Sequence, residues 1–535
     1  MRLTNKTLMR SADSPTKPIK NACMVLCACL VFPFLVRAQK PVPVLTPEKM
    51  LADAQLLKKI LEANHPSLYW YNTPAQLDSG FNALLLDLQS PLSEIKYRNR
   101  LSLWVNQIAC GHTTVRFSKK TAKTINQNRL AGFPLSLKVW EDSLVVLNNY
   151  LGRLGPVQRG DIVLSINGVA TNRLVDTLKQ FVARDGQAYN HAYQVLSNNF
   201  SDWYKGVMGM DSHYTILYKD STGLVKTAVL ENRAGTPEAW KKQLDSIRRS
   251  RQSPTDSVRS PLVVSDRPSG TRLSTRQARL LSLRQLQIDT TRRAAYLRLT
   301  GFGKGNLKRF FRQSFSALQE HQIQHLIIDL RENGGGRVNL STRLSRYLVQ
   351  APFKIGDSVV AISRKFKYGR YIHPAWVYWW AMNLAGSKDS NGLIHYKRYE
   401  QHRYAPFTKN HFSGQLYLLQ GGQTFSAATM FIATLKGQHN VTVLGEETGG
   451  GYYGNSAMHI PTIRLPQTGL RVSLPLYRLV MDAHRPKGRG ILPDVDLPPV
   501  SWAIREGKDR KLLYAQQLIA EKKRGAEAPL VNKEE

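Results

Sequence analysis

The spacing of hydrophobic residues changes along the chain, and each change marks a different predicted structure. Residues 46–108 carry three segments with helical periodicity, MLADAQLLKKILEANHP, LDSGFNALLLDLQ and YRNRLSLWVNQIA. From about residue 130 to 235, patterns such as GFPLSLKVW, SLVVLNNYL and RGDIVLSING predict strands and turns. From residue 294 onward, apolar strands alternate with helices. This alternation predicts an α/β layer with parallel strands.

Two glycine-containing segments follow strands of that predicted layer. RENGGGR (331–337) comes after the strand HLIIDL, and GGQTFS (421–426) comes after the strand QLYLLQ. Ligands of parallel sheets bind at the carboxyl ends of the strands. The predicted site of the α/β region therefore lies at these two segments.

We predict a mixed α/β fold with several domains, because 535 residues exceed the size of one ordinary hydrophobic core. The predicted parts are a signal peptide (1–38), a helical N-terminal domain (39–120), a β-rich module (130–235), a basic linker or insertion (236–290), an α/β core (291–500) and a C-terminal helix and tail (501–535). An aromatic insertion at 368–412 interrupts the core. Its sequence favours equally a lid or substrate wall and a surface excursion that packs its own aromatic rings.

Residues 21–38 form an apolar run that follows two lysines and ends in Val-Arg-Ala, which is typical of a secretory signal cleaved before Gln39. We therefore expect an exported protein, either periplasmic or extracellular. No later segment has about 18 uninterrupted apolar residues, so no further membrane span is predicted. Three of the four cysteines lie in this run, and Cys110 alone stays in the mature chain. An intrachain disulfide is thereby excluded.

The net charge of +37 raises the question of an acidic partner. The densest basic block, residues 241–295, is rich in Ser, Thr and Pro and has no aromatic residues for base stacking. A solvated linker is therefore favoured over a nucleic-acid site, and association with acidic envelope surfaces is the other alternative. The sequence contains no CxxC, HExxH or P-loop motif, so neither a metal nor a cofactor is predicted.

Ser426 stands where a strand gives way to a predicted helix. A serine at this place either caps the helix or exposes its hydroxyl beside unpaired backbone N–H groups. As a nucleophile, Ser426 would form an oxyanion that the Ala427 N–H can bind, and Gly334-Gly335-Gly336 supplies bare backbone for a second donor. The local sequence alone favours the helix cap.

The motifs taken together resemble a known family. IIDLRENGGG, GGQTFSAATMF and VLGEETGGG, in this order, resemble the core of the C-terminal-processing, or tail-specific, serine peptidases and their tricorn-core relatives. RGDIVLSING resembles the PDZ module of those enzymes, and GRGILPDVDL resembles their closing segment. The resemblance implies a core of the ClpP/crotonase-like kind. It also implies that Ser426 is the nucleophile and that Ala427 and Gly335, or Gly336, are the oxyanion donors.

The resemblance does not extend to the usual general base. Processing peptidases use a lysine, but GEETGGGYYG has Gly451 at that place, and Lys436 belongs to the helix after Ser426. The tricorn-like branch uses a histidine, and His112 in CGHT matches it. Neutral imidazole accepts a proton near physiological pH. The alternative is a structural histidine at a helix-to-strand turn.

The remaining site residues are less closely matched. The glutamate of the tricorn-like pattern corresponds to Lys487, so the candidates for an orienting acid are Glu446, Asp482 and Asp494. In the PDZ-like module, Gly132 and Phe133 match the loop that captures a terminal carboxylate in such modules.

The sequence therefore predicts an exported serine endopeptidase whose partners are protein or peptide substrates rather than nucleic acid. Two alternatives stay open. One is a catalytically inactive binding protein on the same scaffold, because the lysine and the glutamate are replaced. The other is an envelope protein held by its basic surface to acidic polymer or lipid.

Overall fold

The computed structural model of the protein describes residues 41–128, 132–150, 155–232 and 274–527. The predicted signal peptide, most of the basic block and the last residues of the predicted tail lie outside these ranges. The described residues form a mixed arrangement of helices and sheets, so the predicted fold class is confirmed.

The N-terminal region is helical, as its periodicity predicts. Thr73 and Ser93 cap the second and third long helices by accepting hydrogen bonds from backbone N–H groups three residues later. The apolar stripe of the first helix is fully buried at positions such as Met50, Leu57 and Leu61. The elements of this region are the helices Pro47–Asn64, Pro74–Asp87, Glu94–Asn106 and Lys119–Asn128 and the short strands Val44–Leu45, Leu92–Ser93 and Val115–Arg116.

The β-rich module forms an antiparallel sheet with three helices packed on it. The strand Leu135–Trp140 lies at one edge and alternates buried and half-buried residues. The sheet contains the strands Leu135–Trp140, Ser143–Asn149, Ile162–Ile166, His213–Lys219 and Val225–Glu231, with Val169–Ala170 paired to the third strand. The helices are Thr171–Lys179, Tyr189–Asn198 and Phe200–Val207.

The main sheet of the core has six strands, and four of its five pairings are parallel. Its central strand residues, such as Leu326, Ile328 and Leu418, are fully buried because helices cover both faces. The strand order is Arg284–Asp289, Ala294–Leu299, His325–Asp329, Gln415–Gln420, Val441–Gly445 and Val495–Asp496. The helices of this part are Thr275–Leu283, Leu307–Glu320, Val338–Ser345 and Ala427–Leu435.

The interpretation of residues 236–290 as a linker or insertion is wrong at its end. Residues 233–273 lie outside the described ranges, but Thr275–Leu283 is a helix and Arg284–Asp289 pairs antiparallel with Ala294–Leu299. The abundant Arg and Gln residues of this strand hid it, because an edge strand needs only partial burial and its burial pattern is half-buried throughout most of its length.

Two smaller antiparallel sheets complete the core. One joins the aromatic insertion to the region after Ser426, in the order Ser387–Lys388, Ile394–His395, Ser358–Ala361, Tyr477–Val480 and Gly454–Ala457. The other has the order Ile372–His373, Thr462–Arg464, Arg471–Ser473 and Val115–Arg116. Because Val115 pairs with Val472, the turn that carries His112 is attached directly to the core.

The insertion also contains the helices Gly369–Tyr371, Ala375–Ala385 and Lys397–Gln401. The described part of the chain ends with the helices Ser501–Glu506 and Arg510–Glu527. Among the residues that the structure describes, no helix has both the length and the apolar character needed to cross a membrane.

Candidate active site

The two glycine-containing loops meet at the carboxyl end of the main sheet, as predicted. The Phe425 N–H donates to the Asn333 carbonyl over 3.1 Å, and the Thr424 hydroxyl donates to the Leu330 carbonyl over 2.9 Å. Arg331 anchors the first loop, since its guanidinium bonds Asp329 and Asp509. These contacts fix the loops relative to each other before any substrate binds.

Ser426 has a strained backbone at the start of a buried helix. Its φ of 54° lies in a region that a serine rarely adopts, and its side chain makes no capping hydrogen bond. The helix Ala427–Leu435 begins at the next residue. The structure therefore does not support the interpretation of Ser426 as an ordinary helix cap.

The triple glycine lies directly against Ser426. A Cβ added to Gly335 would stand 2.7 Å from Ser426 Cβ, and Gly335 has a φ of +95°. The Gly335 N–H donates to Asn333 Oδ1 over 3.0 Å. In the described part of the chain, neither the Gly336 N–H nor the Ala427 N–H donates a hydrogen bond. Gly336, the alternative to Gly335 as an oxyanion donor, thus has an N–H that is open to a ligand.

His112 lies at the turn between the helix Glu94–Asn106 and the strand Val115–Arg116, as its sequence context predicts. Its ring packs on Phe425, with centroids 4.8 Å apart, and the ring of His191 stacks on the same Phe425 at 4.6 Å. Gly111 is required here, because a Cβ would meet Phe425 Cζ at 2.5 Å. Phe425, the residue before Ser426, therefore positions the turn that carries His112.

Ser426 and His112 line the same pocket, which has a volume of about 400 Å³. Gly336 also lines it, so that the predicted nucleophile, base and an open backbone donor face one space. The described residues include no hydrogen bond between the Ser426 hydroxyl and the His112 ring. Tyr378 of the aromatic insertion forms part of the wall, whereas Trp376 and Trp380 are 70% and 55% exposed.

The two nitrogens of His112 differ in environment. Nδ1 is buried and has no hydrogen-bond partner among the described residues, whereas Nε2 is not among the buried atoms. Burial, and secondly the nearby His191, lowers the pKa of His112 to about 4. The imidazole is therefore neutral at physiological pH and able to accept a proton.

None of the three predicted orienting acids contacts His112. Glu446 is 4% exposed and pairs with Lys511. The Asp482 carboxylate bonds Arg485. The Asp494 carboxylate bonds Lys436 and the Val443 N–H. Each of these carboxylates already has a cationic partner other than His112, so proximity to the motifs along the chain does not identify an orienting acid.

The residues that stand in place of the lysine base of the processing peptidases and the glutamate of the tricorn-like pattern have other contacts. Lys487 lies over the rings of Trp70 and Tyr71, at 5.6 Å from each centroid. Lys436 pairs with Asp494 and is thereby held away from a base role, as expected. The Gly451 N–H donates to Asp185 Oδ2 over 3.4 Å.

Asp185 is a buried carboxyl group that no sequence motif indicates. It is 2% exposed and accepts a 2.8 Å hydrogen bond from the N–H of Gly111, the residue before His112. Its neighbours also include Cys110 and Tyr71, whose pKa values it raises in addition to the larger effect of burial. Asp185 therefore joins the His112 turn to the Gly451 loop. ARDG reads only as a turn, so no sequence signal pointed to it.

Burial raises the pKa of Asp185 to about 7, although the two backbone N–H groups oppose this shift. The folded protein therefore binds this proton more tightly than the unfolded chain does, and the stabilisation is lost as pH rises from about 4 to about 7. We expect the free energy of unfolding of Asp185→Asn, relative to that of the parent, to increase as pH rises from 4.5 to 8. Urea unfolding at both pH values measures this difference, and a difference independent of pH would contradict the assignment.

The predicted peptide-binding loop of the β module lies at a smaller pocket of about 220 Å³, lined by Gly132 and Phe133. The Phe133 N–H donates to Ser201 Oγ over 2.9 Å, and the Val139 N–H of the edge strand donates to Ser197 Oγ over 2.8 Å. A peptide that adds to this strand must therefore displace two helix hydroxyls.

No group of three or more His, Cys, Asp or Glu side chains within the described ranges is arranged to hold a metal ion. Cys110 is buried, and burial raises the pKa of its thiol to about 12, which makes the thiolate unavailable as a second nucleophile.

Comparison with known proteins matches the core to one family. Residues 293–497 match the model of peptidase family S41. The fold is similar to that of mature CPAF, with a TM-score of 0.60 at 14% sequence identity over 91% of this chain and 99% of that one. Mature CPAF complexed with lactacystin gives a TM-score of 0.59 at 14% identity, over 88% of this chain and 98% of that one. No curated protein shows significant similarity to this chain.

The CPAF likeness concerns the fold, because the sequence identity is low. The family match covers the segment that holds both glycine-containing loops, Ser426 and the main sheet from Ala294 onward. The match agrees with the resemblance carried by IIDLRENGGG and GGQTFSAATMF. The match to peptidase family S41 over residues 293–497 therefore indicates a serine-type, protein-cleaving peptidase domain in this part of the chain.

Proposed function

We propose that this protein is an exported serine endopeptidase in which Ser426 is the nucleophile and His112 the general base. One observation carries the proposal: Ser426, with its strained backbone, His112 and Gly336 line one pocket although they come from three distant segments. The apolar run at residues 21–38 supports export.

In the proposed mechanism, His112 Nε2 accepts the Ser426 proton as Oγ attacks the scissile carbonyl carbon. The carbonyl oxygen becomes an oxyanion, which the N–H groups of Ala427 and Gly336 stabilise. The protonated His112 then donates its proton to the leaving amine, and an acyl-enzyme forms. Water, deprotonated by His112, hydrolyses this ester and restores Ser426.

We assign the second oxyanion donor to Gly336 rather than Gly335, because the Gly335 N–H is bonded to Asn333. Gly335 then has a different role. Its carbonyl accepts from the Phe302 N–H over 2.8 Å, and its lack of a side chain lets the two loops approach. Each oxyanion donor contributes about 3 kcal/mol to transition-state stabilisation in serine peptidases.

Asp185 is proposed to position His112 in place of a carboxylate bonded to the ring. The carboxyl holds the Gly111 N–H, and Phe425 packs against the ring from one side. His112 Nδ1 still needs an acceptor for its proton when Nε2 acts as the base. Nδ1 is buried and has no acceptor among the described residues, so the described arrangement does not supply one.

The PDZ-like module is proposed to engage the substrate chain near Gly132 and Phe133. Strand addition there needs the Phe133 and Val139 N–H groups, which Ser201 and Ser197 now occupy. A peptide would exchange these hydroxyl acceptors for its own carbonyl and carboxylate oxygens, so the binding energy gained is a difference between two sets of hydrogen bonds.

The alternative of an inactive binding protein is distinguished by chemical labelling. We expect a fluorophosphonate probe to modify Ser426, because phosphonylation needs an activated hydroxyl. The labelling rate should stay constant from pH 8 down to about 5 and fall only around pH 4, where His112 becomes protonated. An ordinary histidine would give a fall near pH 6.5.

Peptide mapping of the labelled protein identifies the modified serine. The variant His112→Ala serves as the control and should label far more slowly at every pH. Absence of labelling at Ser426, or equal labelling in the control, would favour the inactive scaffold.

A further inference from the structure

A second, larger groove is continuous with the pocket that contains Ser426. It has a volume of about 780 Å³ and shares Val338, Met458 and His459 with that pocket. Met458 and His459 have positive φ values of 57° and 47° at this junction. Residues other than glycine with a positive φ are strained, and such residues cluster at functional sites. A chain bound at Ser426 therefore has direct access to the groove.

The lining of this groove is strongly basic. Five cationic side chains face it, and no aspartate or glutamate does; the cations are Lys308, Arg337, Arg343, Arg346 and Arg398. None of the ion pairs between described residues includes any of the five. Cations that converge without a counter-charge repel one another, so an anionic ligand is favoured in the space between them.

Two of the arginines are held in place before a ligand arrives. Arg343 and Arg346 lie over the ring of Phe407, at 5.3 Å and 4.0 Å from its centroid. Arg346 Nε donates to the Ala405 carbonyl over 2.7 Å, whereas Arg343 Nε is buried and has no partner among the described residues. A fixed guanidinium loses little entropy when it binds a carboxylate.

Arg337 connects the groove to the reaction centre. It immediately follows Gly336, and its N–H donates to the Phe302 carbonyl over 2.8 Å, which fixes the backbone on which its exposed side chain stands. The side chain of a substrate residue close to the scissile bond would thus lie beside the positive charge of Arg337.

We propose that this groove binds an acidic segment of the polypeptide substrate, so that the peptidase selects chains with Asp or Glu residues beside the cleaved bond. The inference rests on the proposed function for the cleavage step, but binding in the groove does not need a reactive serine. Carboxylates accept bidentate hydrogen bonds from arginine, and the tyrosines that also line the groove add hydroxyl donors.

A second basic pocket provides a matched control. It has a volume of about 650 Å³, is lined by Lys119, Arg370, Arg464 and Arg471, and contains neither Ser426 nor His112. Removing two charges there changes the net charge by the same amount as removing two charges from the groove. Long-range attraction by the basic protein as a whole is thereby separated from local recognition.

Binding is measured with the Ser426→Ala variant and two labelled peptides, one of alternating Gly and Glu and one of alternating Gly and Gln. We expect the Glu peptide to bind roughly ten-fold more tightly, a difference that one desolvated charge-assisted contact supplies. Adding Lys308→Gln and Arg398→Gln, both exposed, should lower this preference. Adding Arg370→Gln and Arg464→Gln instead should preserve it.

Equal losses in the two double variants, or none in either, would overturn the groove assignment. The variant Arg343→Gln provides a second measurement in the groove. Its circular dichroism must match that of the parent, since Arg343 also packs on Phe407.

Cleavage separates this inference from the proposed function. We expect the parent enzyme to cleave unfolded casein faster than the same casein with its carboxylates converted to amides. If neither casein is cleaved but the Glu peptide keeps its preference, the peptidase mechanism fails and the groove assignment holds. If both caseins are cleaved at equal rates and the peptides bind equally, only the groove assignment fails.

Discussion

Ser426→Ala is expected to lower kcat/KM for an unfolded protein substrate by about 10⁴- to 10⁶-fold, and His112→Ala is expected to lower it by a similar factor. The reason is that nucleophile and base act as a unit, so removing either one leaves only substrate binding and the oxyanion donors. The double variant should therefore be no slower than the slower single variant. Progress curves with fluorescent casein measure all three.

His439→Ala is the matched control for the histidine change, because His439 is exposed and the hydrogen bond that its ring makes among the described residues is to Gln350, at 3.5 Å. It should keep parental activity. Unfolding curves must show that the Ser426 and His112 variants are folded. Full activity of a folded His112→Ala protein would remove the proposed base from the mechanism.

Gly335→Ala is expected to lower activity at least about 100-fold, because a displacement of about 1 Å at a reacting group has effects of this size. The new methyl group would lie 2.7 Å from both the Phe425 carbonyl oxygen and Ser426 Cβ, so the two loops must separate. The φ of +95° adds a strain of about 1–3 kcal/mol for any residue other than glycine.

Gly334→Ala is the control for this change within the same triple glycine. A Cβ at Gly334 would meet no atom within 4 Å, and its φ is not in the left-handed region. We expect near-parental activity and stability for this neighbour. Equal activities of the two alanine variants would show that the close approach of the loops is not needed for catalysis.

The sequence predicted well those features that depend on local pattern. Helical periodicity located the helices of the N-terminal region, and apolar runs located the strands of the main sheet. The edge strand Arg284–Asp289 escaped prediction, because its polar residues lack the pattern of a buried strand. The helices Tyr189–Asn198 and Phe200–Val207 were missed as well, although they pack on the β module.

The sequence predicted those residues of the candidate site that belong to motifs. It did not predict the residues that reach the site only through the three-dimensional fold. Ser426, His112 and Gly336 come together as the motifs implied. Asp185 lies in a short turn without a motif, and its hydrogen bonds reach residues 74 and 266 positions away along the chain. Pattern analysis of one sequence contains no information about such pairings. For the same reason, proximity to the motifs along the chain does not identify the carboxyl group that holds the His112 turn.

The contacts of Asp185 also limit how the site can be assembled during synthesis. The carboxyl group bonds Gly111 on one side and Gly451 on the other, so no fragment that ends before Gly451 contains the complete arrangement. Contacts of such high sequence separation form late in folding, because the intervening chain must first be closed into a loop. A nascent or truncated chain that ends between Ser426 and Gly451 therefore carries both His112 and Ser426 but lacks the contact that joins the His112 turn to the Gly451 loop. The complete site is then a property of the completed fold.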